Sequence, residues 1–261
     1  MKDLREVFMA SIYDRADIYD LLEDENRYQI YRKHWETVLK DRPVETFLDV
    51  SIGSGNVTLP LLDLGIRLSG SDLSSCMLEK CRKKAEAKDV QLDLQCCDFR
   101  TAAAHFDGKF DCVASTGNSL PYVSNEDVLK TLEQMDRLVK PGGYLYFDVR
   151  NWDKILREKQ RFYLYHPFFD GDTRINLVQV WDYQEDGSMI FNLLYTFEKD
   201  NRIFQKEEFQ EHYIPVSRKL LLDKMKDMGY GDMELMNFPS CIQTKATIDD
   251  LDWYCMIARK G

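Results

Sequence analysis

The chain has 261 residues, 44% of them hydrophobic and 31% charged, with 35 basic against 45 acidic side chains and a net charge of −10. That length holds one large domain or a domain with an appendage, and the composition excludes disordered, collagen-like and coiled-coil chains. The acidic balance counts against a protein that tracks nucleic-acid phosphates, and no apolar stretch reaches the ~18–20 residues of a membrane helix.

Acids interrupt the apolar residues of Met1–Ser11 (MKDLREVFMAS), so no export signal is expected. Residues 25–41 carry Tyr28, Tyr31, Trp35, Val38 and Leu39 at helical spacing, with Pro43 closing the pattern. Thr46–Ser51 (TFLDVS) is a short apolar run ending in a glycine turn, the pattern of a buried parallel strand. A helix is predicted over Asn56–Leu64, a strand over Leu68–Asp72, a helix over Ser75–Ala87 and a strand over Val90–Cys97. Phe110–Ser115 (FDCVAS) gives a fourth strand, Glu126–Val139 a helix, and Tyr144–Val149 (YLYFDV) a fifth strand after Pro141-Gly142-Gly143.

Strands alternating with helices predict an α/β fold with a doubly wound, mostly parallel sheet. The rhythm changes after Arg150. Ile175–Tyr183 and Met189–Glu198 read as a hairpin around Asp186-Gly187, and Arg202–Val216 as more strand. Arg218–Met228 then reads as a helix ended by Gly229, and Trp253–Ala258 as the last strand. The expected organisation is an N-terminal helical lid over 1–41, a core over 42–150 and 217–261, and an antiparallel β-rich, substrate-side insertion over 151–216.

Seven cysteines with no CxxC pair, and no repeated histidine spacing, leave a metal site without support. They are expected as reduced, mostly buried small hydrophobes of a cytoplasmic protein.

The chemistry concentrates at three successive strand ends. Asp49-Val50-Ser51-Ile52-Gly53-Ser54-Gly55 brings backbone close to a ligand, and the helix expected after it would favour anionic groups. Asp72, 17 residues after Gly55, is placed to accept from both hydroxyls of a ribose. Asp98 is placed for an exocyclic adenine amine, with Phe99 against the ring. Each acid alone also reads as a solvated strand-end carboxylate. A dinucleotide site shares the first two features, but its fingerprint wants a small residue where Thr58 stands.

Taken in order, LDVSIGSG, GSDLSSCML, CDF, FDCV and LVKPGGYLYFD resemble the motifs of the class I S-adenosylmethionine-dependent methyltransferases. That resemblance covers about residues 27–150 and the closing strands. It implies a seven-stranded Rossmann-like sheet with an antiparallel last strand, S-adenosyl-L-methionine as cofactor and S-adenosyl-L-homocysteine as product. It also places Tyr19, Arg27, Asp49, Ser51, Gly53, Gly55, Asp72, Leu73, Met77, Asp98, Phe99 and Thr116 at the cofactor. Ser51-Ile52 departs from the family's usual Gly or Ala followed by Cys, so a slightly repacked cofactor edge is expected.

Gly117-Asn118-Ser119, followed by Val149-Arg150-Asn151-Trp152-Asp153, is similar to the glycine N-methyltransferase branch. The resemblance puts Arg27 on the methionyl carboxylate of the cofactor, Arg150 on the carboxylate of the acceptor, and Asn118 beside the acceptor. Tyr13, before the sheet, and Tyr165, after Arg150, are read as tyrosines lining the same pocket, with amphipathic packing as the alternative for the N-terminal ones. A guanidinium fork matches a carboxylate bidentately, which supports Arg150; its alternative is a salt bridge to Asp148 or Asp153. The alternative for Arg27 is a pair with Glu23 or Glu25. No general base is nominated, because alignment of an amine with the sulfonium can supply most of the acceleration. The expected partner is a small-molecule acceptor, with no nucleic acid and no membrane. The competing functions are a methyltransferase for another small metabolite and a non-catalytic S-adenosylmethionine sensor.

Overall fold

The alternation of apolar runs and amphipathic segments folds as a mostly parallel sheet. The computed structural model describes residues 11–261, so residues 1–10 of the stretch read for an export signal lie outside the described residues. In chain order the helices and strands begin with α1 (Ala16–Tyr19), α2 (Glu25–Val38), β1 (Thr46–Asp49), β2 (Arg67–Asp72) and α3 (Ser75–Glu86). β3 (Asp93–Cys96), β4 (Phe110–Ser115), α4 (Asn125–Leu138), β5 (Val139–Arg150) and α5 (Trp152–Glu158) follow. β6 (Phe162–Leu164), β7 (Phe168–Asp170), β8 (Thr173–Tyr183), β9 (Met189–Lys199) and β10 (Arg202–Tyr213) come next. α6 (Arg218–Asp227), β11 (Tyr230–Asn237) and β12 (Trp253–Lys260) close the chain.

Seven strands form one sheet in the order β11-β12-β5-β4-β1-β2-β3. β12 runs antiparallel to both neighbours, and the pairs from β5 through β3 are parallel. The α/β class, the seven strands and the antiparallel last strand are those expected. The reversal of strand order between β4, β1 and β2 makes the crevice at their carboxyl ends the natural ligand site. Side chains seal helices against this sheet. Asp24, Ser74, Ser124 and Ser217 cap α2, α3, α4 and α6, each accepting a backbone N–H of the first turn. On α2 the helical spacing buries Tyr31, His34, Trp35 and Val38, and Trp35 packs edge-on against Phe47 of β1.

Two expectations need correction. The stretch Asn56–Leu64 is not a continuous helix: only Leu59–Leu64 coils, as a 3₁₀ turn. Pro60 has no N–H to give the carbonyl four residues back, so an α-helix cannot run through it. No long helix N-terminus therefore faces the glycine turn. The residues of the seventh strand, β11, were also not expected as strand; its register shifts between Gly231 and Glu234, which breaks the alternation a sequence would show.

The chain separates into two compact units at other points than the expected ones: residues 23–158 with Pro215–Gly261, and residues 11–22 with Lys159–Ile214. The N-terminal stretch is thus divided at residue 22 rather than 41. Buried Glu211 of β10 accepts from Ser11 Oγ and Ile12 N, each at 2.8 Å, which ties the first described residues to the insertion. Within that unit β10, β9, β8 and β6 form an antiparallel sheet, with β7 also on β8, and Gly187 turns the β8–β9 hairpin at φ +85°. Four cysteines (81, 97, 112 and 255) are buried, and all seven are free thiols.

Candidate active site

The glycine turn is held from below by a buried carboxylate. Asp49 has no exposed surface and accepts from Thr116 Oγ1 at 2.6 Å, Thr58 Oγ1 at 3.2 Å and Ser51 N at 3.1 Å. Burial pushes its carboxyl up to about 6 against those donors. Thr58, the departure from the dinucleotide pattern, is thus a buried hydroxyl donor to this acid. Ser51 Oγ accepts from Thr116 N at 3.0 Å and donates to Thr116 O at 3.1 Å, so it ties the end of β1 to the end of β4. A Gly or Ala at Ser51 would lack that link.

Gly53 and Gly55 both sit at positive φ, +55° and +83°. A Cβ on Gly55 would come within 2.6 Å of Leu59 and 2.9 Å of Cys81 Sγ, so no side chain fits. Gly53 N donates to Asp72 Oδ2 at 2.9 Å and Ser74 N donates to Asp72 Oδ1 at 2.8 Å. Each oxygen keeps a lone pair for a ribose hydroxyl. Burial raises the Asp72 carboxyl, opposed by those backbone donors. Beside it Leu73 is 72% exposed, an apolar surface without a protein cover. Met77 is fully buried, its Cε lying 3.6 Å from where a Gly53 Cβ would stand. The glycine cradle, the diol-accepting acid and the apolar Leu73 suit an adenosine.

Asp98 is gripped by Arg100 through Nε and NH2, which holds its carboxyl below the usual range; Arg100 also pairs with Asp127. Phe99 follows it at the start of a short 3₁₀ turn. Arg27 on α2 pairs with Glu23 at 3.3 Å and donates to Tyr31 Oη at 2.9 Å. The pairing with Glu23 is therefore formed.

A second cluster lies at the ends of β4, β5 and β12. Gly117 and Asn118 both turn at positive φ, +73° and +60°. Asn118 Oδ1 accepts from Arg150 N at 3.0 Å and Trp152 Nε1 at 3.2 Å, which fixes the amide's orientation. Its Nδ2 is buried and has no hydrogen-bond partner among the described residues. Asp148 is fully buried and accepts from Gly117 N and Trp253 Nε1, each at 3.0 Å. Burial pushes its carboxyl up to about 8. Asp153, the other acid near Arg150, accepts from Arg218 N at 3.0 Å. Arg150 is 7% exposed, and its guanidinium carbon lies 4.9 Å from the centroid of the Trp253 ring.

One unit thus carries Arg27, Asp49, Ser51, Gly53, Gly55, Asp72, Leu73, Met77, Asp98, Phe99, Thr116, Asn118 and Arg150. Tyr13, Tyr19 and Tyr165 belong to the insertion unit; there Tyr13 and Tyr19 pack ring to ring at 5.4 Å, and Tyr165 neighbours Tyr163 at 5.0 Å. Reading the sequence missed the seating of Arg150 on Trp253, and named Asp148 only as a salt-bridge alternative for Arg150. An aspartate two residues before Arg150 was its only local signal, since Trp253 lies about a hundred residues away. A cavity of about 350 Å³ lies beyond Gly55, lined by Tyr28, Asn56, Lys84 and Lys88, and touches none of the strand-end acids. Among the described residues, no group of three or more His, Cys, Asp or Glu side chains is placed to hold a metal ion, and no helix is long and apolar enough to cross a membrane.

Comparison with known proteins points the same way. Residues 47–143 match the family described as "Methyltransferase domain". The chain is 29% identical over 224 residues to a glycine/sarcosine N-methyltransferase of Aphanothece halophytica, covering 85% of this chain and 78% of that one. It is 34% identical over 141 residues to the putative methyltransferase YqeM of Bacillus subtilis, covering 54% of this chain and 56% of that relative, little more than half its length. In fold it is similar to an S-adenosylmethionine-dependent methyltransferase from Clostridium acetobutylicum, with a TM-score of 0.75 and 16% identity over 95% of this chain and 98% of that one.

Proposed function

Starting from a chain that belongs to the class I S-adenosylmethionine-dependent methyltransferases, we propose that it methylates the nitrogen of a small, carboxylate-bearing amine such as glycine or sarcosine. The observation that carries this reading is the Asn118 amide: a buried NH₂ without a protein acceptor, on a turn hydrogen-bonded to the backbone of Arg150. Leaving such a donor unsatisfied costs about 1–3 kcal/mol, so the site asks for an oxygen ligand. A carboxylate supplies that oxygen together with the negative charge that Arg150 favours. The glycine/sarcosine name of the Aphanothece relative supports the same class of acceptor.

S-adenosylmethionine supplies an electrophilic methyl on a sulfonium. This chain's part is to bind and align. Asp72 accepts from the ribose, Leu73 covers the adenine, and Asn118 with Arg150 holds the acceptor's carboxylate so that its amine faces the methyl. The amine must arrive neutral; its nitrogen forms the new N–C bond as the C–S bond breaks, the sulfonium becomes a thioether, and the extra proton leaves to water. Orientation at effective molarities of ~10⁵–10⁸ M makes a dedicated base unnecessary.

The test is release of S-adenosylhomocysteine with glycine, sarcosine, glycinamide and ethanolamine as acceptors. The carboxylates should turn over and the other two should not. Equal rates for glycinamide and glycine, or no turnover of either acid, would overturn the reading.

A further inference from the structure

A guanidinium at the end of a long side chain grips a carboxylate well only when its plane is held. Arg150 and Trp253 are directly opposed across the β5–β12 pair, so both side chains stand on the same face of the sheet. The guanidinium carbon lies 4.9 Å from the indole centroid, within the ~6 Å range of a cation–π contact. The indole is itself fixed: its N–H donates to Asp148 Oδ1 at 3.0 Å, two residues before Arg150 on the same strand. Phe238 packs against Trp253 at 5.6 Å between ring centroids, and Tyr31 stacks on Phe238 at 6.1 Å. Tyr31 carries Arg27, which donates to its hydroxyl. The two arginines thus stand at the two ends of one run of three rings.

We propose that Trp253 is a positioning residue that determines acceptor specificity: its indole face seats the Arg150 guanidinium for a carboxylate, and Asp148 fixes the indole. This rests on the reading of Arg150 as the acceptor's carboxylate clamp. The seat keeps the fork preorganised, so that binding an acid does not have to order it. Arg27, at the far end of the ring run, is kept at a set separation from Arg150.

The experiment compares the wild-type chain with Trp253→Met, which keeps a flexible apolar side chain, smaller than the indole, without a ring face, and Trp253→Phe, which keeps a face but loses the N–H to Asp148. For Trp253→Met, which removes the ring face along with some packing volume, the KM for glycine should rise about tenfold or more, the scale of a desolvated cation–π contact, with kcat nearly unchanged and S-adenosylmethionine affinity intact. Trp253→Phe should restore much of the loss. A merely structural role would instead lower cofactor affinity and kcat together, and Phe would not rescue. The wild-type chain alone gives a second measurement: with S-adenosylhomocysteine bound, adding acetate should move the Trp253 indole N–H resonance, identified by its absence in Trp253→Phe. Acetate binding without that movement, or a Trp253→Met chain that keeps the wild-type KM, overturns the seat alone. If the wild-type chain prefers no carboxylate, the clamp reading falls and the seat falls with it.

Discussion

The strand ends of β1 to β3 and those of β4, β5 and β12 both carry buried or half-buried acids, held in different ways. On the first, donor side, Asp72 is held by the backbone of Gly53 and Ser74, and Asp49 by Ser51 and Thr58 together with Thr116. Most of these donors belong to tight turns within 19 residues of the acid. On the second, acceptor side, Asp148 takes Gly117 from 31 residues upstream and Trp253 from 105 residues downstream. Asn151, next to Arg150, reaches the carbonyls of Ile248, Asp249 and Leu251. A nucleoside can thus be recognised by local turns, which any chain with the same short motif can build. Under the proposed reading, recognition of the acceptor would depend instead on how distant segments close the sheet.

The sharpest way to break this division is a pair of substitutions whose effects should not cross. Arg150→Lys keeps the charge but loses the planar fork. Truncating one side of a buried charged pair costs about 2–5 kcal/mol, so kcat/KM for the acceptor should fall about thirtyfold or more while S-adenosylmethionine affinity holds. Steady-state kinetics with glycine, set beside calorimetry with the cofactor, reads both. Normal turnover by Arg150→Lys would remove the clamp.

Its mirror image is Asp72→Ala. Losing a charged acceptor shared by two hydroxyls should weaken cofactor affinity by about 1.5–3 kcal/mol, tenfold or more, and calorimetry measures it directly. The same change frees Gly53 N and Ser74 N, so the cradle loosens as well. The acceptor's KM at saturating cofactor should stay close to wild type. A shifted acceptor KM with unchanged cofactor affinity would reverse the assignment of the two sides.

The same division explains what was legible in the sequence. Asp49, the two glycines and Asp72 lie in short runs where strand, turn and acid follow one another, and period and spacing reveal them. The sheet order follows from the strand–helix alternation for the same reason. Ser51 looked like a neutral departure because its partner Thr116 is 65 residues away. Trp253 looked like the first residue of a last strand, and nothing local indicated that its ring would meet Arg150. The tie between residues 11–12 and the insertion was hidden likewise, since Glu211 lies about 200 residues from the groups it accepts from. Pro60 was the exception, a local signal that contradicted the helix expected through it.

The smallest expected effect concerns the acids themselves, and it sets Asp148 against Asp49. Burial raises both, Asp49 to about 6 and Asp148 to about 8, from an ordinary 3.8. In each case the folded chain holds a proton that the unfolded chain has released, so stability falls as pH rises from the ordinary value through the folded one. Asp49 completes that loss near pH 6. His34 acts with the opposite sign: burial lowers it to about 3, so its contribution is lost only as pH falls below about 6.5. Its proton sits on Nε2, facing Tyr146 Oη, because Nδ1 accepts from Ser240 N at 2.9 Å. Between pH 6.5 and 8 the Asp148 contribution therefore stands apart from both. Over that window the wild-type chain without cofactor should lose about 1–2 kcal/mol, or roughly 2–6 °C in Tm. Asp148→Asn should flatten this slope, whatever it does to the absolute Tm by losing the Gly117 or Trp253 bond. Asp49→Asn should keep most of the slope, because burial is the largest cause of the Asp148 shift and the Asp49 charge a smaller one. If Asp148→Asn keeps the wild-type slope, the acceptor-side acid is already ionised at pH 6.5, and the contrast between the two buried carboxyls disappears.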